Sequence, residues 1–178
     1  MLDIDDRSTP KNFRELVLAD LRRAARLIVK VQDEIDLQFR MATPKGDYAL
    51  AVTLPSDSDE RTAMLERIST FMAWKQVRGF TIASELYEPD CGCCAGITAD
   101  ERIICMSRIT RRPRPWSAVN FSAAEWLPET SIDPLLIDLL PAAARPMTPK
   151  EISALQRWFG IDGKFPAVHL PSGEVQGL

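Results

Sequence analysis

Histidine is almost missing from this chain of 178 residues: His169 is its single imidazole. Histidine-based catalytic dyads, triads and zinc sites therefore have little to build on. Cysteine is sparse as well, at four residues, far below the density of a disulfide scaffold. Long apolar runs are lacking: no stretch approaches the roughly 20 residues a spanning helix needs. The greasiest late segment, residues 134–147, is broken by Asp138, Pro141 and Arg145. Met1-Leu2-Asp3-Ile4-Asp5-Asp6 has no basic-then-apolar signal pattern. These absences lead us to expect a soluble, cytoplasmic protein with thiols in place of disulfides and no membrane partner. A net charge of −3 argues against binding nucleic acid through bulk charge. No G-x-S-x-G, Walker-type, G-x-G-x-x-G or H-E-x-x-H motif occurs. Pro44-Lys45-Gly46-Asp47 has the chemistry of a turn and not of a phosphate cradle.

What is present is a well-patterned core. Apolar residues make up 46% of the chain and charged ones 26%, which suits a folded domain and not a disordered one. Thr9-Pro10 signals a helix start, and Phe13, Leu16, Val17, Leu21, Ala24, Ile28 and Val31 recur at helical spacing. From Ile35 the period changes to two. Ile35, Leu37, Phe39 and Met41 alternate with polar residues, Thr43–Asp47 turns, and Tyr48, Leu50, Val52 and Leu54 alternate again, predicting a β-hairpin. Ser56–Glu60 opens a second helix, carried by Met64, Leu65, Ile68, Phe71 and Met72 and closed by Arg78-Gly79. Further strands are expected at Phe80–Leu86, Cys93–Thr98, Arg102–Ile109 and Ser117–Trp126. Short helices follow at Asp133–Leu140 and Pro149–Phe159, the latter opened by the capping box of Thr148 and Glu151. Residues after Gly163 read as an extended tail.

The expected architecture is α+β: a mainly antiparallel sheet, made of the N-terminal hairpin plus about four further strands, packed by two longer helices, with two short C-terminal helices. Residues 1–130 are assigned to the core domain. Residues 131–178 form a helical arm and tail docked on that domain. The order helix, hairpin, helix, strands, helix resembles the layout of roadblock-type and other profilin-like adaptor domains. An additional strand and the final helix depart from that layout.

Four groups carry the functional expectations. Cys91, Cys93, Cys94 and Cys105 are weak metal or redox candidates. If the hairpin turns between Ala99 and Asp100, Cys94 faces Cys105, while Cys93 points to the other face. Their spacing, C-x-C and C-C, is not that of tetrahedral zinc, so a packing role is expected and no cofactor. Glu85, Glu88 and Asp90 cluster at one strand end, where paired carboxylates could do acid–base work or hold a hard cation; solvated loop charges are the plainer expectation. Arg108, Arg111, Arg112, Arg114 and Trp116 lie within nine residues, a spacing that could grip phosphates, bases or an acidic partner. A strand-to-strand loop whose guanidinium groups satisfy neighbouring carboxylates is the plainer expectation. His169 is expected to be a surface or packing residue. The favoured function is a non-catalytic protein-interaction or assembly module, with a protein partner or a homo-oligomer. The alternatives are a nucleic-acid-associated accessory protein using residues 108–116, as in a phage-like or mobile-element setting, and an enzyme or metal/redox site at Glu85–Asp90 and the cysteines.

Overall fold

A computed structural model describes residues 1–31, 35–111, 119–141 and 145–170. The protein is α+β, as the sequence predicts: an antiparallel sheet carries helices on both faces. Among the described residues there are eight strands and four helices. The elements in chain order are α1 (Phe13–Val31), β1 (Leu37–Thr43), β2 (Gly46–Val52), α2 (Ser58–Lys75), β3 (Gly79–Tyr87), β4 (Asp90–Thr98), β5 (Arg102–Arg111), β6 (Val119–Phe121), β7 (Glu125–Leu127), α3 (Pro134–Ile137), α4 (Pro149–Phe159) and β8 (Val168–Leu170). The sheet runs β6-β5-β4-β3-β1-β2-β8, with β7 also on β5.

Strand alternation divides the sheet into two cores. On one face, Phe39, Met41, Leu50, Val52, Phe80, Ile82 and Ile97 pack against α2 residues Met64, Ile68, Phe71 and Met72 and against Leu155 and Phe159 of α4. On the other, Leu16, Val17, Leu21, Ala24 and Ile28 of α1 pack on Ala83, Cys94, Cys105, Ile109 and Phe121. Helix α1 comes so close to β4 that a Cβ on Gly96 would sit 2.4 Å from Val17 Cγ2. Only a residue without a side chain fits there.

Local signals placed most elements, and the exceptions have physical causes. Helix α1 starts at Phe13, later than Thr9-Pro10 suggests. Asn12 Oδ1 accepts from the Glu15 amide at 2.9 Å, and the Glu15 carboxylate accepts from the Lys11 amide at 2.7 Å, a reciprocal arrangement that captures the helix start. Helix α2 is closed not by Gly79 but by Gln76, in the left-handed conformation (φ 57°), its amide donating to Ala73 and Met72 carbonyls; Gly79 instead opens β3. The strand expected at Ser117–Trp126 is two short strands on β5, residues 117 and 118 lying outside the described residues. Met106 faces Glu125 and Ile109 faces Phe121, so the outer strand carries one extra residue over that span, a bulge. Ser122 sits in it, its hydroxyl accepting from the Arg108 amide at 3.0 Å. Finally, the expected tail contains β8, an edge strand paired with β2.

Candidate functional site

The four cysteines do not converge. The register puts Cys94 directly opposite Cys105, as the hairpin arithmetic predicts, and both are buried beneath α1. Cys91 and Cys93 alternate to the opposite face. All four thiols are unpaired. Burial pushes the Cys105 thiol up to about 12 and raises Cys94 well above its ordinary value, with the Asp20 carboxylate adding to the latter. Cys91 is raised by burial and then by its neighbours Cys93 and Asp90; Cys93, touching the Ser84 hydroxyl at 3.2 Å, is also raised by burial. Thiols held protonated in this way are poor nucleophiles. Among the described residues no three His, Cys, Asp or Glu side chains are placed to share a metal ion.

The carboxylate cluster and the arginine loop meet, at one residue. Glu85, with its side chain fully buried on the α1 face, ion-pairs through Oε1 with Arg111 Nη2. Arg111 Nε lies 3.4 Å from Asp90 Oδ2. The guanidinium at the end of β5 therefore clamps the ends of β3 and β4. Glu85 Oε2 and Asp90 Oδ1 are enclosed without a hydrogen-bond partner among the described residues. Glu88 is exposed in the β3–β4 turn and forms no ion pair among the described residues. Arg108 points to the other face and is exposed. Arg112, Arg114 and Trp116 fall outside the described residues. Of the loop's described arginines, one is thus committed to neighbouring carboxylates and one is free of any ion pair among the described residues.

His169 is exposed on β8. Its Nε2 lies 3.1 Å from the Lys45 carbonyl and its ring packs 5.0 Å from Tyr48. These contacts fasten the edge strand to the β1–β2 turn and reach neither the clamp nor the thiols. Gly46, in that turn at φ 113°, is hemmed by the same imidazole at 2.9 Å from where its Cβ would be.

Three features were not expected from sequence. A buried polar knot ties α1 to the sheet: Asp20 accepts from Thr81 Oγ1 at 2.5 Å and pairs with Arg40 at 3.3 Å, and Arg40 lies 3.3 Å from Asp47. Its signal was legible, because Asp20 occupies an apolar-face position between Val17 and Leu21. The second is an open strip of sheet formed by Leu86, Cys93 and Met106, flanked by Arg108 and Glu125; these three apolar side chains belong to neither core. The third is a cleft of about 560 Å³ between α2 and the segment after α4, where Arg67 and Lys164 stand beside Trp158 and Phe165. Its walls are about 100 residues apart in the chain, so no local motif announces it.

No helix among the described residues is long and apolar enough to cross a membrane. Comparison with protein-family models, curated proteins and solved structures finds no match to this chain.

Proposed function

We infer that this protein is a non-catalytic assembly module that associates with a second copy of itself through the open strip of the sheet. The observation that carries this reading is the composition of the strip. On the face opposite α1, the half-buried Cys93 and Met106 pair across β4 and β5, and Leu86 (47% exposed) lies diagonally from Cys93 on β3, its own cross-strand partner being the buried Cys91. Exposed apolar area of this kind on a sheet is stabilised by being covered. Two opposite charges border it. Glu125 is Met106's cross-strand partner, and Arg108 lies two residues along β5 on the same face. Both are exposed, and neither makes an ion pair among the described residues.

That arrangement is self-complementary. A two-fold axis through the strip sets Arg108 of each copy against Glu125 of the other, the isologous geometry of most closed dimers. The Glu85–Arg111–Asp90 clamp on the reverse face supports the reading, since it fixes the strand ends that present the strip. Four unpaired thiols suit a reducing cytoplasm.

Sedimentation of the purified chain tests this. A dimer is expected at about 100 µM, a concentration at which micromolar association is nearly complete. Met106→Glu and Arg108→Glu should each give monomers, and adding Glu125→Arg to Arg108→Glu should restore the dimer. A monomeric wild type, or a dimer indifferent to Met106→Glu, overturns the reading.

A further inference from the structure

The cleft beside α2 has a chemistry independent of the open strip. It is built by the chain turning back on α4. Leu155 and Phe159 point into the core, which leaves Trp158 at the cleft wall. The segment after Gly160 then folds against the last turn of α4. The Lys164 amide donates to the Arg157 carbonyl at 3.2 Å, that of Phe165 to Trp158 at 2.7 Å, and that of Ala167 to Phe159 at 3.0 Å. These bonds fix Phe165 beside Trp158, with ring planes 16° apart and centroids 6.2 Å apart. The wall is thus an aromatic pair on a hydrogen-bonded support. Met64 on α2 and Leu54 and Pro55 after β2 complete the apolar lining.

Two cations are held against these rings. The Arg67 guanidinium carbon is 4.4 Å from the Trp158 centroid, and Lys164 Nζ is 5.1 Å from Trp158 and 5.5 Å from Phe165. Neither forms an ion pair with a carboxylate among the described residues. A guanidinium stacked on a ring keeps its in-plane N–H groups free, and these match the two oxygens of a carboxylate or phosphate. Glu60 is the one acid in the lining and lies exposed in the first turn of α2, so the basic groups outnumber it. The volume is that of an ordinary small-molecule site.

We propose that this cleft binds a small aromatic anion, the flat body against Trp158, Phe165 and Met64 and the carboxylate or phosphate on Arg67 and Lys164. The requirement for both parts is physical. An inorganic anion alone would gain only solvent-exposed charge pairs, which are weak, and a neutral ring would leave the cations without an anionic partner.

Two matched pairs of probes test it by calorimetry on the full chain: 1-naphthoate against 1-naphthalenemethanol, and AMP against adenosine. The anion of at least one pair should saturate one site per chain and bind at least about tenfold more tightly than its neutral partner. The pair that responds distinguishes a carboxylate from a nucleotide ligand. Lys164→Gln should weaken that anion severalfold, and Arg67→Gln with Lys164→Gln by more than about tenfold, while Lys150→Gln changes nothing. Lys164 is exposed, so its single variant keeps the test valid if the double variant loses structure. Equal binding of neutral and charged probes, an anion affinity indifferent to Lys164→Gln, or no saturable binding of either anion up to about 1 mM overturns the proposal.

Discussion

At the scale of single residues, two of the acids picked out in the sequence, Glu85 and Asp90, are held by one structural partner, Arg111. Glu85 illustrates this. Its side chain is fully buried, and the partner it finds is Arg111, one-third exposed at the end of β5. Removing one member of a buried ion pair strands the other, at a cost of about 3–5 kcal/mol when both are fully enclosed. Water reaching Arg111 reduces this, so Arg111→Ala is expected to destabilise by about 2 kcal/mol in urea unfolding. Replacing both partners, Glu85→Leu with Arg111→Met, should cost less than Arg111→Ala alone, because the fully buried Glu85 charge is removed, while the part-exposed Asp90 loses its partner in both variants. A single variant as stable as wild type would mean that Glu85 finds another donor. The sequence brings Glu85, Asp90 and the arginine segment forward as candidates, with neutralisation of the acids by arginine as the plainer expectation. It could not tell which arginine does so. Arg108 and Arg111 are three residues apart on a strand, and alternation sends them to opposite faces.

At the scale of elements, legibility follows the length and locality of the signal. Helix α4 was readable to the residue because Pro149, the Thr148–Glu151 box and Gly160 mark both ends within the helix itself. The β4–β5 register was readable because one tight turn sets it and places Cys94 on Cys105. Strand β8 was not, since three residues give no period and its partner β2 lies more than 100 residues upstream. The bulge at Ser122 was not either, because an extra residue shows only in the pairing. The α4 start also carries a pH dependence. Hydrogen bonding from Arg145, then from Thr148, holds the Glu151 carboxyl at about 2, below its usual 4.5. A carboxyl depressed in the folded state adds stability that is complete above 4.5 and lost as pH falls toward 2. Glu151→Gln keeps the capping geometry and removes the charge. Its melting temperature is therefore expected to lie slightly below wild type at neutral pH and to converge with it on acidification through that window. A constant gap would assign the effect to geometry instead of charge.

At the scale of the whole molecule, one sheet serves two cores, and this makes the layers interdependent. Strands β3, β4 and β5 give alternate residues to the α1 face and to the α2 and α4 face: Ala83, Cys94 and Cys105 to the first, Ile82, Ala95 and Ile104 to the second. Losing either layer exposes the other side of the same strands, so the protein should unfold in one step even though α1 and α4 pack on opposite faces. The buried thiols provide a sensor on one side, and Phe159, its ring tilted 56° to that of Phe71 with centroids 5.0 Å apart, provides a lever on the other. Truncating a buried phenylalanine costs about 3–5 kcal/mol. In a Cys91→Ser, Cys93→Ser background, Phe159→Ala is therefore expected to raise the rate at which a thiol reagent labels Cys94 and Cys105 by about a hundredfold or more, because labelling follows the open population. The urea midpoint of labelling should fall together with that of far-ultraviolet circular dichroism. If Phe159→Ala lowers the dichroism midpoint and leaves Cys94 as protected as before, α1 and its strands form a unit that survives loss of the opposite layer. The sheet would then be a support for two separable folding units, and the clamp of Glu85, Arg111 and Asp90 would belong to the more stable of them.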